Sequence, residues 1–229
     1  MRESGLMGNI YTICEWIMRF SVTNLLWILF NTPLVFIGLS VLFISSIQDA
    51  IILIPLLLLC FPFCLFPATS AMFALVRDWI IDQEKATILG SFWKYYRENY
   101  KKSMQAGVIF TLLWFIWAID YYYFQQVNTV IMFVFLIMGV ILYVFTLLFF
   151  TVIVHYDIDL KTLLKKAFIL TVGSPVLFFS ITIVTGIVLL VSIQTLPIII
   201  PFFTGSLIAF ITFSAFYRLF LRVKEEEKG

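Results

Sequence analysis

The stretch Phe63–Trp117, FCLFPATSAMFALVRDWIIDQEKATILGSFWKYYRENYKKSMQAGVIFTLLWFIW, is apolar at both ends and charged in the middle. Before and after it the chain is almost uninterrupted hydrophobic sequence, in runs of about 20 residues, the length needed to cross a bilayer. The composition agrees: 62% of the 229 residues are hydrophobic and only 12% charged, against roughly a quarter charged in soluble domains. These observations predict an all-α polytopic membrane protein, a single domain over 1–229 with six transmembrane helices and amphipathic interfacial helices. The charged centre, a cytoplasmic amphipathic loop over 77–103, is then the largest part able to meet a soluble partner.

Working outward, the expected spans are 21–46, 51–76, 104–124, 129–154, 167–192 and 195–221. Residues 1–20 carry Ile10, Ile13, Cys14, Ile17 and Met18 at helical spacing with polar residues between, which predicts a short helix on the membrane surface. Glu3, Glu15 and Arg19 in the first twenty residues argue against a cleaved leader, so the first hydrophobic segment is expected to stay. In the first span Asn24 and Asn31 lie seven apart on one face, where amides join neighbouring helices, and Pro33 predicts a kink just beyond. The second span holds Pro55, Pro62 and Pro67 and cannot be straight throughout. Ser70 and Ala74 have the small-xxx-small spacing of close helix contacts.

Between spans two and three, Ile88, Leu89, Phe92, Trp93, Tyr96 and Tyr100 fall on one helical face. Thr87, Ser91, Lys94, Glu98, Lys101 and Lys102 fall on the other, with Thr87 placed to cap the helix. This pattern fits a helix lying in the interfacial plane, either anchoring the loop or docking a partner. Thr171, Ser174, Thr182, Thr185 and Gly186 form a small, polar stripe in span five. Pro197, Pro201, Thr204, Gly205, Ala209, Thr212 and Ala215 form another in span six. Close packing is the simplest use of two such stripes, and a solute path between them the sharper one.

Every one of the 15 basic residues falls on one side of this topology: before span one, between spans two and three, between four and five, or after six. The positive-inside rule then puts both termini in the cytoplasm. The outer loops are a few residues long, and no expected span carries an ionisable group near its middle, which argues against an ion-coupled carrier. Cys60 and Cys64 share a face without further soft ligands nearby, and His155, Asp157 and Asp159 read as a solvated helix start rather than a metal site. No nucleophile–base pair, phosphate loop or basic run beyond the membrane-flanking loops is recognisable. The expectation is therefore no enzyme, no cofactor, no metal and no nucleic acid.

Asn24-Leu-Leu-Trp27 followed by Pro33, then Phe66-Pro-Ala-Thr-Ser-Ala-Met72, then Phe92-Trp-Lys-Tyr-Tyr-Arg-Glu-Asn-Tyr-Lys-Lys102, resembles the YesL family of bacterial integral membrane proteins. The family's usual Gly-rich run after Pro33 is replaced by Leu34-Val-Phe-Ile-Gly38. The resemblance implies the plasma membrane of Gram-positive bacteria and carbohydrate utilisation, since members are typically encoded beside ABC sugar permeases, solute-binding proteins and glycoside hydrolases. Glu84-Lys-Ala-Thr-Ile-Leu-Gly90 also carries the E-x-A-x-x-x-G start of the loop by which ABC permeases dock their ATPase, without that motif's Ile-x-Leu-Pro ending.

Together these readings predict a non-catalytic accessory subunit of a carbohydrate (oligosaccharide) ABC uptake system. Glu84, Gly90, Phe92, Trp93, Tyr96 and Tyr100 would be its partner contact, and Asn24, Asn31, Ser70, Ala74, Thr182, Gly186 and Gly205 its intramembrane polar or small face. Its partners would be the bilayer and the permease with its ATPase, or a second copy of itself. The alternatives are a stand-alone facilitator of a neutral solute such as a sugar, and a membrane-organising protein without transport.

Overall fold

The computed structural model describes residues 6–41, 43, 47–82 and 87–226. It is all-α, with six helices long and apolar enough to cross a membrane: Ile10–Phe30, Ile51–Ile80, Ile88–Val127, Thr129–His155, Pro175–Gln194 and Ile200–Glu226. The expected class and number of long apolar helices are found. Several boundaries differ, each for a local reason.

Residues 6–20 do not form a separate surface helix. α1 (Leu6–Phe30) is continuous, because nothing between Met18 and Asn24 breaks it and its aromatic side chains have partners. Trp16 and Phe20 both pack on Trp79 and Phe210, with ring centroids 5.4–6.1 Å apart. The expected span 21–46 is instead divided at Asn31, and α2 (Thr32–Val41) follows. Pro33 has no N–H to give the carbonyl of Leu29, and the hydroxyl of Thr32 takes that carbonyl at 2.6 Å. At ten residues α2 covers about 15 Å, too little to cross a bilayer. The apolar stretch of α1 also contains Glu15 and Arg19, so the expectation of spans free of central ionisable groups does not hold here. The two are joined as an i,i+4 ion pair, and Arg19 also lies over the Trp16 ring.

α3 (Ile47–Cys60) passes through a π-helical turn, Phe61–Leu65, into α4 (Phe66–Ile80). Pro62 and Pro67 bracket that turn. Each removes a donor from the helical ladder, and widening the turn lets Phe66 N–H reach the carbonyl of Phe61. α4 is the centre of the molecule: from Phe66 to Trp79 every residue except Thr69 and Arg77 is buried. Phe66, Phe73, Phe110, Phe149 and Phe150 join it to the next two helices in a ring network with centroids 5.1–5.7 Å apart.

The amphipathic segment is not a separate helix. α5 (Ile88–Val127) runs 40 residues without a break, so the expected loop helix and the third span are one element about 60 Å long. Thr87 caps it as expected, accepting from Gly90 N–H at 3.3 Å. No Pro falls between Ile88 and Val127 to break the helix, and the aromatic face of the first turns packs on α1. Phe30 meets Phe92, Trp93 and Tyr96 at 4.8–5.7 Å.

Asn128 turns the chain into α6 (Thr129–His155) by accepting from the N–H groups of Val130 and Ile131. The expected fifth span, 167–192, is two helices. α7 (Leu160–Gly173) is capped by Asp159, and α8 (Pro175–Leu190) starts afresh because Pro175 cannot continue the ladder. Two further π turns, Val191–Thr195 and Ile200–Thr204, flank the last connection, and α9 (Gly205–Glu226) closes the bundle.

Candidate functional site

Two groups of polar side chains could carry function: those inside the bundle and those where the charged connections meet.

Inside, the bonds are complete at the key position. Asn24 is 1% exposed and donates from Nδ2 to the carbonyls of Ile200 and Pro201, at 3.0 and 2.8 Å. Its Oδ1 accepts from Ser206 N–H at 3.1 Å. Ser206 in turn donates from Oγ to the carbonyls of Phe20 and Phe203. The amide therefore stitches α1 to the irregular start of α9. Gly205 makes this approach possible, since a Cβ there would sit 2.7 Å from Asn24 Oδ1. Asn31, fully buried, bonds its own helix through Trp27 O instead. Ser70 accepts from the Ser103 hydroxyl at 2.7 Å, Ala74 is buried, and Thr182 bonds back to Phe178 O. Gly186 differs from the reading of a close-packed small face: nothing lies within 4 Å of where its Cβ would be. The structure thus links Asn24 and Gly205 directly, and places Ser70 and Ala74 on the central helix against α5. It leaves Gly186 unpacked.

Sequence reasoning missed a second close glycine contact. A Cβ on Gly107 would meet Pro62 Cα at 2.7 Å, so α5 crosses the π turn backbone to backbone. The sign in the sequence is the small run Ser103, Ala106 and Gly107 on one side of α5, whose first two members are also fully buried.

The charged group lies where the ends of α4, α6 and α9 and the first half of α5 meet. Arg77 donates to Val154 O and, through Nε and Nη2, to Asp78 Oδ1 at 3.1 and 2.8 Å. The Tyr95 hydroxyl donates to Asp78 Oδ2. Asp78, 7% exposed, therefore fastens α5 to the arginine that holds α6. Lys102 pairs with Asp157 at 2.6 Å, and that salt bridge holds the Asp157 carboxyl below its ordinary range. The Thr162 hydroxyl and N–H do the same for Asp159. Tyr156 carries the Lys166 ammonium 3.9 Å from its ring centre, and burial pushes its phenol up. His155 sits among Tyr156, Phe213, Phe216 and Phe220.

These groups leave an open polar cleft of about 360 Å³, walled by Arg77, Tyr95, Glu98, Asn99, Lys102, His155, Tyr156 and Asp157 among others. The sequence reading places Arg77 in the 77–103 loop and gives Asp78 no role. Both belong to the last turns of the central helix, and an Arg-Asp pair inside apolar sequence was the legible sign.

The expected partner-contact residues do not form one surface. Phe92 is fully buried under Phe30, which corrects its assignment to a docking face. Tyr96 and Tyr100 are half-buried beside it, Trp93 is 50% exposed, and Gly90 lies exposed in the first turn of α5. Glu84 lies outside the described residues. Helical periodicity identified an aromatic face correctly but could not tell that α1 covers most of it. Among the described residues, no three His, Cys, Asp or Glu side chains gather as a metal site.

The fold and these sites define a polytopic helical membrane protein with a polar cleft at its basic end. Residues 20–121 match the family described as "Protein of unknown function, DUF624". The chain is 30% identical over 234 residues to "Uncharacterized protein YteU" of Bacillus subtilis (strain 168), covering 98% of this chain and 91% of the relative. It is 26% identical to "Uncharacterized protein YesL" of the same organism, covering 93% and 92%, and 28% identical to "Uncharacterized protein YesV", covering 60% and 67%. The chain belongs to this family of Bacillus-type membrane proteins, of which YesL is one member beside YteU and YesV. No solved structure matches.

Proposed function

We propose that the protein is a non-catalytic membrane subunit that docks a partner at its polar cleft. Its basic connections and both termini would face the cytoplasm. Support comes from one contrast. The amide inside the bundle, Asn24, is buried with its donors and acceptor engaged within the chain, whereas the 360 Å³ cleft is open and its wall carries charged side chains within a partner's reach, the Lys102–Asp157 pair among them. The gene association that the family resemblance implies makes the permeases and ATPase of a carbohydrate ABC importer the partner proposed here.

The test is gentle solubilisation of native membranes followed by affinity capture of a C-terminally tagged copy. Co-purification of a sugar permease pair with its ATPase is expected. Glu98→Lys, at an exposed position in the cleft wall, should cut that recovery without lowering thermal stability. Recovery of the protein alone, in good yield, would overturn the reading. Sugar flux into liposomes containing only this chain would then identify a facilitator.

A further inference from the structure

We propose that the cavity between the start of α8 and the last third of α9 binds the phosphate of an anionic phospholipid. The cavity holds about 370 Å³ and is lined by Arg218, Arg222, Ser174, Val176, Leu177 and Leu219 among others. The inference does not depend on the docking reading above, because it concerns a different face.

The two arginines carry it. They lie one helical turn apart on α9, so both guanidinium groups reach the same side. Both are exposed, and among the described residues neither has an ion pair or a hydrogen-bonded partner. Arg77, Lys102 and Lys166 contrast with them. Arg77 is fastened to Asp78 and Val154 O, Lys102 to Asp157, and Lys166 lies on the Tyr156 ring. Two unpaired guanidinium groups facing one cavity form a fork suited to phosphate oxygens.

The opposite wall adds donors. Ser174 precedes α8 without capping it, and the N–H groups of Val176 and Leu177 have no partner in their own helix.

The ligand is a lipid rather than a free anion because of what continues from the cavity. Val176 (79% exposed), Phe179 (60%), Ile183 (58%) and Ile187 (54%) form one exposed apolar track along α8. α8 begins at Pro175, where an apolar stretch long enough to cross the bilayer also begins. A charged fork at the head of an exposed apolar track matches an amphipathic ligand: phosphate between the arginines, acyl chain along the helix.

The experiment uses the full chain, delipidated in neutral detergent, and follows bound lipid by native mass spectrometry and by thermal shift. Dioleoylphosphatidylglycerol, dioleoylphosphatidylcholine and inorganic phosphate are the three probes. The phosphatidylglycerol should bind best. Arg218→Gln with Arg222→Gln should weaken it about tenfold or more, as loss of two charge-assisted contacts requires. Lys161→Gln with Lys165→Gln removes the same charge from exposed positions and should change little. Should the double arginine variant fold poorly, each single variant must show part of the same loss at unchanged lipid-free melting temperature. Equal losses in the lysine control would reduce the effect to general surface charge and overturn the site. Equal binding of both lipids would also overturn it. Inorganic phosphate that displaces the lipid at equal concentration would make the cavity a free-anion site and overturn the lipid assignment.

Discussion

Ser206 on α9 donates its backbone N–H to Asn24 on α1 at 3.1 Å, joining residues 182 apart in the chain. With the two bonds from the same amide to the Ile200 and Pro201 carbonyls, this contact ties α1 to both the π turn Ile200–Thr204 and the first turn of α9 that follows it. Asn24→Leu keeps the side-chain size and removes all three bonds. A transmembrane hydrogen bond contributes about 0.6 kcal/mol on average, and stranded backbone groups add to the loss. A destabilisation of about 2 kcal/mol is expected, read as a lower midpoint of unfolding in detergent micelles. An unchanged midpoint would mean that water replaces the amide.

Two glycines separate close approach from open space. On Gly107 a methyl group would strike Pro62 Cα at 2.7 Å, which is backbone and cannot rotate away. On Gly186 it would meet nothing within 4 Å. Gly107→Ala should cost about 1–3 kcal/mol, the usual range for overpacking. Gly186→Ala should be neutral or slightly stabilising, because alanine favours the helix by roughly 1 kcal/mol. Melting temperatures of the two variants, compared side by side, test the packing of α5 on the π turn.

Hydropathy and charge placement sufficed for the all-α class and the six long apolar helices, because those depend on runs of residue types. They failed where tertiary contacts decide. Residues 6–20 are amphipathic by themselves, yet Trp16 and Phe20 find Trp79 and Phe210 and the segment joins α1. Phe92 and Trp93 are adjacent and equally aromatic, but only Phe92 lies under Phe30 completely. Asn24 was legible as a helix-joining amide; its partners on α9 were not, since they are backbone groups freed by irregular turns. The cleft is not legible in the sequence because its walls come from three separate segments, around Arg77, Tyr95–Lys102 and Ile153–Asp157, that only the fold brings together.

Asp157 and Lys102 should give a measurable pH signature. The ammonium holds the Asp157 carboxyl below its ordinary position, so the folded chain binds that proton less readily than the unfolded chain. The sign follows. The contribution is complete above the unfolded value, about 3.9, and is lost as pH falls through the lower folded value. Lys102→Gln should return the Asp157 titration to the ordinary carboxylate range. Carbon NMR of the labelled carboxyl in micelles would follow it, and an unmoved titration in the variant would remove the pair as the cause. Asp157 is fully exposed, so the effect on stability should be slight.

The Arg77–Asp78–Tyr95 set permits a sharper test of how the basic end is held together. Tyr95→Phe removes one donor to Asp78 and leaves the ring in place, so it should cost about 1 kcal/mol. Asp78→Ala leaves both Arg77 and Tyr95 without their shared acceptor at a site only 7% exposed, and should cost about 3 kcal/mol. The double variant decides whether the two losses are one. If the tyrosine acts through Asp78, adding Tyr95→Phe to Asp78→Ala should change almost nothing, giving a coupling of about 1 kcal/mol in a double-mutant cycle. Additive losses would show instead that the Tyr95 hydroxyl acts through a partner other than Asp78. Asp78→Asn keeps one acceptor oxygen for Arg77, and its stability should lie between the parent and Asp78→Ala.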